Sequence, residues 1–122
     1  MRKKILLVDD TETMLMIERT ILSVGGYDLV TAKDGLEAVA VAAIERPDLI
    51  LMDVVMPKLS GIEACRELRR LEATRAIPIF MVTARGERHN VEEGFASGCT
   101  DYVTKPINGP QLLAKIRNTL GS

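Results

Sequence analysis

Two carboxylates stand side by side where an apolar run stops: Ile5-Leu6-Leu7-Val8 leads directly into Asp9 and Asp10. Asp53 closes a second apolar run. Thr83 follows a third, and Thr104-Lys105-Pro106 follows a fourth. Adjacent like charges raise each other's pKa and cost free energy unless a cation offsets them. Three carboxylates gathered at one point suit a hard divalent ion such as Mg²⁺, which takes oxygen ligands and keeps several waters. A carboxylate can also act as a nucleophile and form an aspartyl phosphate. An ammonium and a hydroxyl nearby would neutralise and orient phosphoryl oxygens, which is most of what phosphoryl transfer requires. Taken singly, Asp10 reads equally well as a helix cap, Thr83 as a turn residue and Lys105 as a solvated lysine. The joint pattern carries the argument, and it depends on the elements that bring these residues together.

Short apolar runs rich in β-branched residues predict strands at Lys4–Val8, Asp28–Ala32, Leu49–Asp53, Ile79–Val82 and Asp101–Thr104. Longer amphipathic runs lie between them. The first predicted helix spans about Thr11 to Val24, with Met14, Ile17, Ile21 and Leu22 near helical spacing and Gly25-Gly26 as its stop. Asp34 with Glu37 forms a capping-box pattern for a second helix that ends before Pro47. Ser60 with Glu63 does the same for a third, Gly61 to Leu71. A fourth, about Glu87 to Ser97, is interrupted by Gly94. The fifth starts from Asn108 with Pro110 in its first turn and Gln111 three residues on; Ile107 and Leu112 staple its entry, and Leu113, Ile116 and Leu120 face the core.

This strict βα rhythm predicts a parallel, doubly wound α/β sheet of five strands flanked by five helices. Ligands in such sheets bind beyond the carboxyl ends of the strands. Four of the five strand ends carry a carboxylate, hydroxyl or ammonium; the second, at Ala32-Lys33, is bland, as an edge strand away from the site would be.

The totals narrow the function classes. The 122 residues suit one domain, and the 47% hydrophobic content suits a folded one. Lys+Arg and Asp+Glu nearly balance, at 16 and 17, and aromatics are 3%, so neither a basic nucleic-acid face nor a base-stacking platform is indicated. Cys65 and Cys99 form no metal-ligand pattern and read as reduced thiols. The apolar run after Met1-Arg2-Lys3-Lys4 is too short for a secretory signal, and no stretch is long enough for a membrane span. The expectation is a cytoplasmic chain that contacts no membrane.

The pieces VDD (8–10), LMDVVMPKLSG (51–61), VTA (82–84) and DYVTKP (101–106) resemble, in order and spacing, the receiver domain of two-component response regulators. The resemblance covers about Lys4 to Leu120. It implies the flavodoxin-like strand order 2-1-3-4-5, the order of the chemotaxis regulator. It implies that Asp53 is the phosphoacceptor and that Mg²⁺ is bound by Asp10, Asp53 and the carbonyl of Val55, with Asp9 acting through water or orienting the site. Lys105, held by a cis peptide to Pro106, would pair with the phosphoryl group, Thr83 would reach it, and the amide of Ala84 would be a second donor. Tyr102 would be the aromatic switch residue that changes the surface of the fourth helix, fifth strand and fifth helix, a surface through which the chain could dimerise. Val55 and Arg85 hold the two positions that tune dephosphorylation, and valine cannot orient an attacking water.

The implied function is a switch that accepts a phosphoryl group from a sensor histidine kinase or phosphotransfer protein, catalyses that transfer and its own later hydrolysis, and acts on a protein target or output domain rather than on a free metabolite. The alternative is a docking module independent of phosphorylation. A haloacid-dehalogenase-type phosphatase would need an acidic residue at position 55, where Val stands. A flavin protein would need a hydroxyl- and glycine-rich loop where Asp9-Asp10-Thr11-Glu12 stands. Gly61 serves the turn before the third helix, while Lys58 and His89 read as solvated. The expectation is a single receiver domain over 1–122, with no output domain and no direct nucleic-acid contact by this chain, either stand-alone or cut from a longer regulator or kinase.

Overall fold

The computed structural model describes residues 2–84 and 87–121, with Arg88 described by its backbone alone. Five parallel strands form one sheet in the order β2-β1-β3-β4-β5. They are β1 Lys4–Val8, β2 Asp28–Ala32, β3 Leu49–Asp53, β4 Ile79–Ala84 and β5 Asp101–Lys105. The helices are α1 Glu12–Ser23, α2 Gly35–Glu45, α3 Gly61–Arg70, α4 Arg88–Ser97 and α5 Gly109–Leu120. The first three strands have the expected bounds. β4 runs two residues beyond Val82 and β5 one beyond Thr104, because Thr83 pairs with Thr104 and Ala84 with Lys105.

The side chains of the strands alternate between two cores, as a pleated sheet requires. Leu6, Val8, Ile50, Met52, Ile79 and Met81 pack against Ala38 and Ala42 of α2 and Ile62, Ala64, Cys65 and Leu68 of α3. Ile5, Leu7, Leu49, Leu51, Phe80, Val82 and Val103 pack against Leu15 and Leu22 of α1 and Leu112 and Ile116 of α5. Each fully buried leucine of this kind contributes about 1.5–3 kcal/mol relative to exposure.

Asp34, Ser60 and Asn108 cap as the sequence predicts, while α1 is capped by Thr11 rather than by Asp10. Thr11, Asp34, Ser60 and Asn108 each accept a hydrogen bond from the backbone N–H three residues on, at Met14, Glu37, Glu63 and Gln111. Both halves of a capping box are present in α3. α1 ends at Ser23, and Gly26 takes the left-handed conformation (φ 74°) that ends the turn after it. α3 stops one residue before Leu71, which is extended, and α4 starts after Glu87, whose side chain makes no cap.

The phase of α1 differs from expectation. Its buried residues are Leu15, Glu18 and Leu22, while Ile17 is exposed, and Met14 and Ile21 are only partly buried. In α5, Leu112 and Ile116 form the buried stripe, with Leu113 and Leu120 partly buried beside it. Leu112, expected only as a staple partner of Ile107, is thus a core residue, because the stripe follows the i, i+4 spacing from 112 to 116. Cys65 and Cys99 are both free and buried. Among the described residues, no helix is long and apolar enough to cross a membrane.

Candidate functional site

The carboxyl ends of β1, β3, β4 and β5 surround a cavity of about 330 Å³ lined by Asp9, Asp10, Asp53, Val55, Thr83, Ala84 and Lys105, all singled out in the sequence. Met14, Glu87 and Asn90 also line it. Carboxylate oxygens of Asp9, Asp10 and Asp53 lie within 4.8 Å of one another. Strand parity explains the arrangement. Asp9 continues the face of Ile5 and Leu7, Asp53 that of Leu49 and Leu51, and Lys105 that of Val103, all on the α1/α5 side. Thr83 continues the face of Ile79 and Met81 and so belongs to the α2/α3 side.

Asp53 is 7% exposed, and its Oδ2 accepts from Lys105 Nζ at 3.3 Å. Its Oδ1 accepts from the Val55 amide at 3.4 Å. Burial raises its pKa; the Asp9 charge adds to this, and the Lys105 ammonium opposes it. Asp9 is 1% exposed, and its Oδ1 accepts from the backbone and side chain of Thr11 at 3.0 and 3.1 Å. Among the described residues, Asp9 Oδ2 and Thr83 Oγ1 are buried without a partner. Such orphans are costly. Here they fit a cation beside the carboxylates and an anionic group beside the hydroxyl. The donor set, hard oxygens from three carboxylates, suits Mg²⁺.

The remaining expected residues fall around this cavity. Val55 exposes 72% of its surface, so its side chain supplies an apolar wall at the mouth. The Lys105–Pro106 peptide is cis, as expected. Tyr102 is 37% exposed and meets Phe95 edge-on, with ring centroids 6.0 Å apart. Lys58 turns away from the rim and pairs with Asp34 at 3.6 Å. His89 is exposed, with Nε2 at 3.4 Å from Glu87. Arg85 lies outside the described residues.

Glu18 was missed in the sequence. It is 1% exposed in α1, and its Oε1 has no partner among the described residues. Burial, followed by the charges of Asp9 and Asp53, pushes its pKa to about 8, against the pull of Lys105. Four consecutive apolar residues, Met14 to Ile17, admit more than one helical phase; starting from Leu15, the i+3 position falls on Glu18 and marks a carboxyl on the buried stripe.

A family model described as the response regulator receiver domain matches residues 5–117. The alkaline phosphatase synthesis transcriptional regulatory protein PhoP of Bacillus subtilis is 42% identical over 98% of this chain, which spans 49% of that protein. The polar-differentiation response regulator DivK of Brucella anthropi is 36% identical, with 99% of this chain and 98% of that protein covered. The chain thus spans about half the length of the first curated relatives it matches, although DivK is matched almost end to end. Among solved structures, the receiver domain of a Pseudomonas aeruginosa sensor histidine kinase, described with a magnesium ion coordinated in its active-site cleft, superposes with a TM-score of 0.92 at 34% identity over 100% of both chains. A response regulator from Chloroflexus aurantiacus gives 0.95 at 30% identity, again over 100% of both. With the matched segment running from the first strand into the last helix, the chain belongs to the response regulator receiver domain family of two-component systems.

Proposed function

We propose that this receiver accepts a phosphoryl group on Asp53 from a phosphohistidine of a sensor histidine kinase or phosphotransfer protein. The observation that carries the reading is the placement of one carboxylate, Asp53, among two further carboxylates, an ammonium and an unpartnered buried hydroxyl. An oxygen of Asp53 forms the new bond to phosphorus while the phosphorus–nitrogen bond to the imidazole breaks, and the nitrogen keeps the electron pair. The carboxylates of Asp9, Asp10 and Asp53 and the Val55 carbonyl would hold Mg²⁺, Asp9 either directly or through water. When bound, the ion neutralises charge on the transferred oxygens.

Lys105 already pairs with Asp53, so its ammonium is placed to accompany the phosphoryl group that replaces that contact. Among the described residues Thr83 Oγ1 has no partner to give up, so its hydroxyl is available to an oxygen arriving from the other side of the rim. The Ala84 amide would be a second donor. Movement of Thr83 would draw on Tyr102 and alter the α4–β5–α5 face, where a target protein, an output domain or a second copy would bind. Phosphorylation shifts that equilibrium by its differential effect on two surface conformations. Hydrolysis of the aspartyl phosphate by water then resets the domain. On this reading residues 1–122 form a single receiver domain.

Intact mass after incubation with acetyl phosphate and Mg²⁺ tests the proposal. One added phosphoryl group in wild type, lost in Asp53→Asn or on removal of Mg²⁺, is expected. Failure with acetyl phosphate and with a panel of phosphorylated kinases would replace this reading with that of a docking module independent of phosphorylation.

A further inference from the structure

The loop that carries Val55 is pinned at two points by glycines that leave no room for a side chain. A Cβ on Gly61 would stand 2.2 Å from the Asp53 carbonyl oxygen, and the Gly61 amide donates to the Val54 carbonyl at 2.9 Å. That point belongs to the motif itself. The second point, at Leu59, is held from outside it. A Cβ on Gly35, the buried first residue of α2, would stand 2.2 Å from the Leu59 carbonyl oxygen and 2.8 Å from both the Leu59 carbonyl carbon and Cβ. The neighbouring residues support the same contact. Lys58 adopts a left-handed conformation (φ 68°), which is costly for a lysine, and sends Nζ to Asp34, the cap of α2, at 3.6 Å. The Leu59 amide donates to the Pro57 carbonyl at 2.8 Å, so the loop folds back on itself as it meets α2.

We propose that Gly35 is a positioning residue for the Mg²⁺ site: by admitting the Leu59 carbonyl against the start of α2, it sets the path of the β3–α3 loop and hence the position of the Val55 carbonyl. α2 contributes no residue to the cavity lining, so this places a determinant of metal affinity outside the motif. An alanine at 35 would need the loop to withdraw by about 1 Å to restore an ordinary contact. Displacement on that scale is enough to spoil a reacting geometry, and groups that orient metal ligands are worth about 10–100-fold in affinity. The inference rests on the reading of Val55 given above.

The test is an Mg²⁺ titration followed by amide chemical shifts, which requires no phosphorylation. Gly35→Ala is expected to weaken Mg²⁺ binding about tenfold or more. Ile116→Ala, a cavity in the α1/α5 layer, is expected to lower Tm and leave the Mg²⁺ affinity unchanged. Wild-type affinity in Gly35→Ala, or an equal loss in Ile116→Ala, overturns the proposal.

Lys58→Ala gives an independent reading should Gly35→Ala not fold. Loss of a cation can by charge alone only leave Mg²⁺ binding unchanged or tighten it, so a weakening in Lys58→Ala reports loss of positioning, and unchanged or tighter binding overturns it. If wild type binds Mg²⁺ but takes no phosphoryl group, the phosphoacceptor reading falls and the inference is judged on these affinities. If wild type binds no Mg²⁺, both fall.

Discussion

Glu18 makes the metal-free protein sensitive to pH in a calculable way. Its carboxyl is buried under the site with one oxygen unpartnered, and its pKa stands near 8 rather than the ordinary 4.5. A group whose pKa is raised on folding contributes stability that is complete below the unfolded value and is lost as pH rises through the folded one. The window is therefore about pH 4.5 to 8. Each pH unit inside it costs about 1.4 kcal/mol. Integrated, the native state loses about 2 kcal/mol between pH 6 and pH 8, and at pH 8 carries a penalty of about 4 kcal/mol.

Glu18→Gln keeps the shape and removes the ionisation. Its amide hydrogens must find acceptors, at a cost of about 1–2 kcal/mol, so the variant should exceed wild type by about 2 kcal/mol at pH 8. Urea denaturation followed by circular dichroism, in EDTA at several pH values from 6 to 8, measures this directly. The midpoint should move by about 1 M at pH 8, taking a denaturant slope of about 2 kcal/mol per M. His89→Gln, at the single and exposed histidine, is the control. A wild-type profile flat from pH 6 to 8, or a Glu18→Gln profile with the wild-type slope, would refute the reasoning.

Three further outcomes are expected. Val55→Asn places a polar group at the exposed mouth of the cavity and should shorten the life of the aspartyl phosphate severalfold, read as loss of added mass with time, with stability within about 0.5 kcal/mol of wild type. Thr83→Val removes a buried hydroxyl with no partner, so the unphosphorylated protein should gain about 1 kcal/mol in urea denaturation. The same variant should keep phosphoryl uptake yet lose the spectral change at Tyr102. Ser60→Ala removes the side-chain half of the α3 capping box, the bond from the Glu63 amide to Ser60 Oγ, and should cost about 1 kcal/mol by the same measurement, while the residue-60 amide keeps its bond to Glu63.

The strand ends were legible because each apolar run stops at a residue whose chemistry differs sharply from the run. Asp9, Asp53 and Lys105 therefore stood out, and the parallel topology brought them together. Three caps were legible for a similar reason: Asp34, Ser60 and Asn108 satisfy donors three residues away, a local matter. What could not be read depends on contacts distant in sequence. β4 extends past Val82 only because Thr104 and Lys105 lie beside Thr83 and Ala84. The phase of α1 is ambiguous across Met14–Ile17, and the charge on Glu18 argues for solvent until the sheet is seen to cover it. The course of Lys58 toward Asp34 follows from a left-handed residue that nothing in a lysine announces.

The parity of the strands has a consequence for signalling. Asp53 and Lys105 belong to one hydrophobic layer and Thr83 to the other, and between them runs a sheet whose backbone keeps the two layers apart. A group held by both Lys105 and Thr83 would straddle the edge of that partition. On the proposed function, the rim would thus be a gateway at which an event among the neighbours of α1 and α5 is felt across the sheet without repacking either interior. One residue inserted into β4 ahead of Thr83 would turn the hydroxyl to the wrong side and close the gateway, though every residue of the site would still be present in the chain.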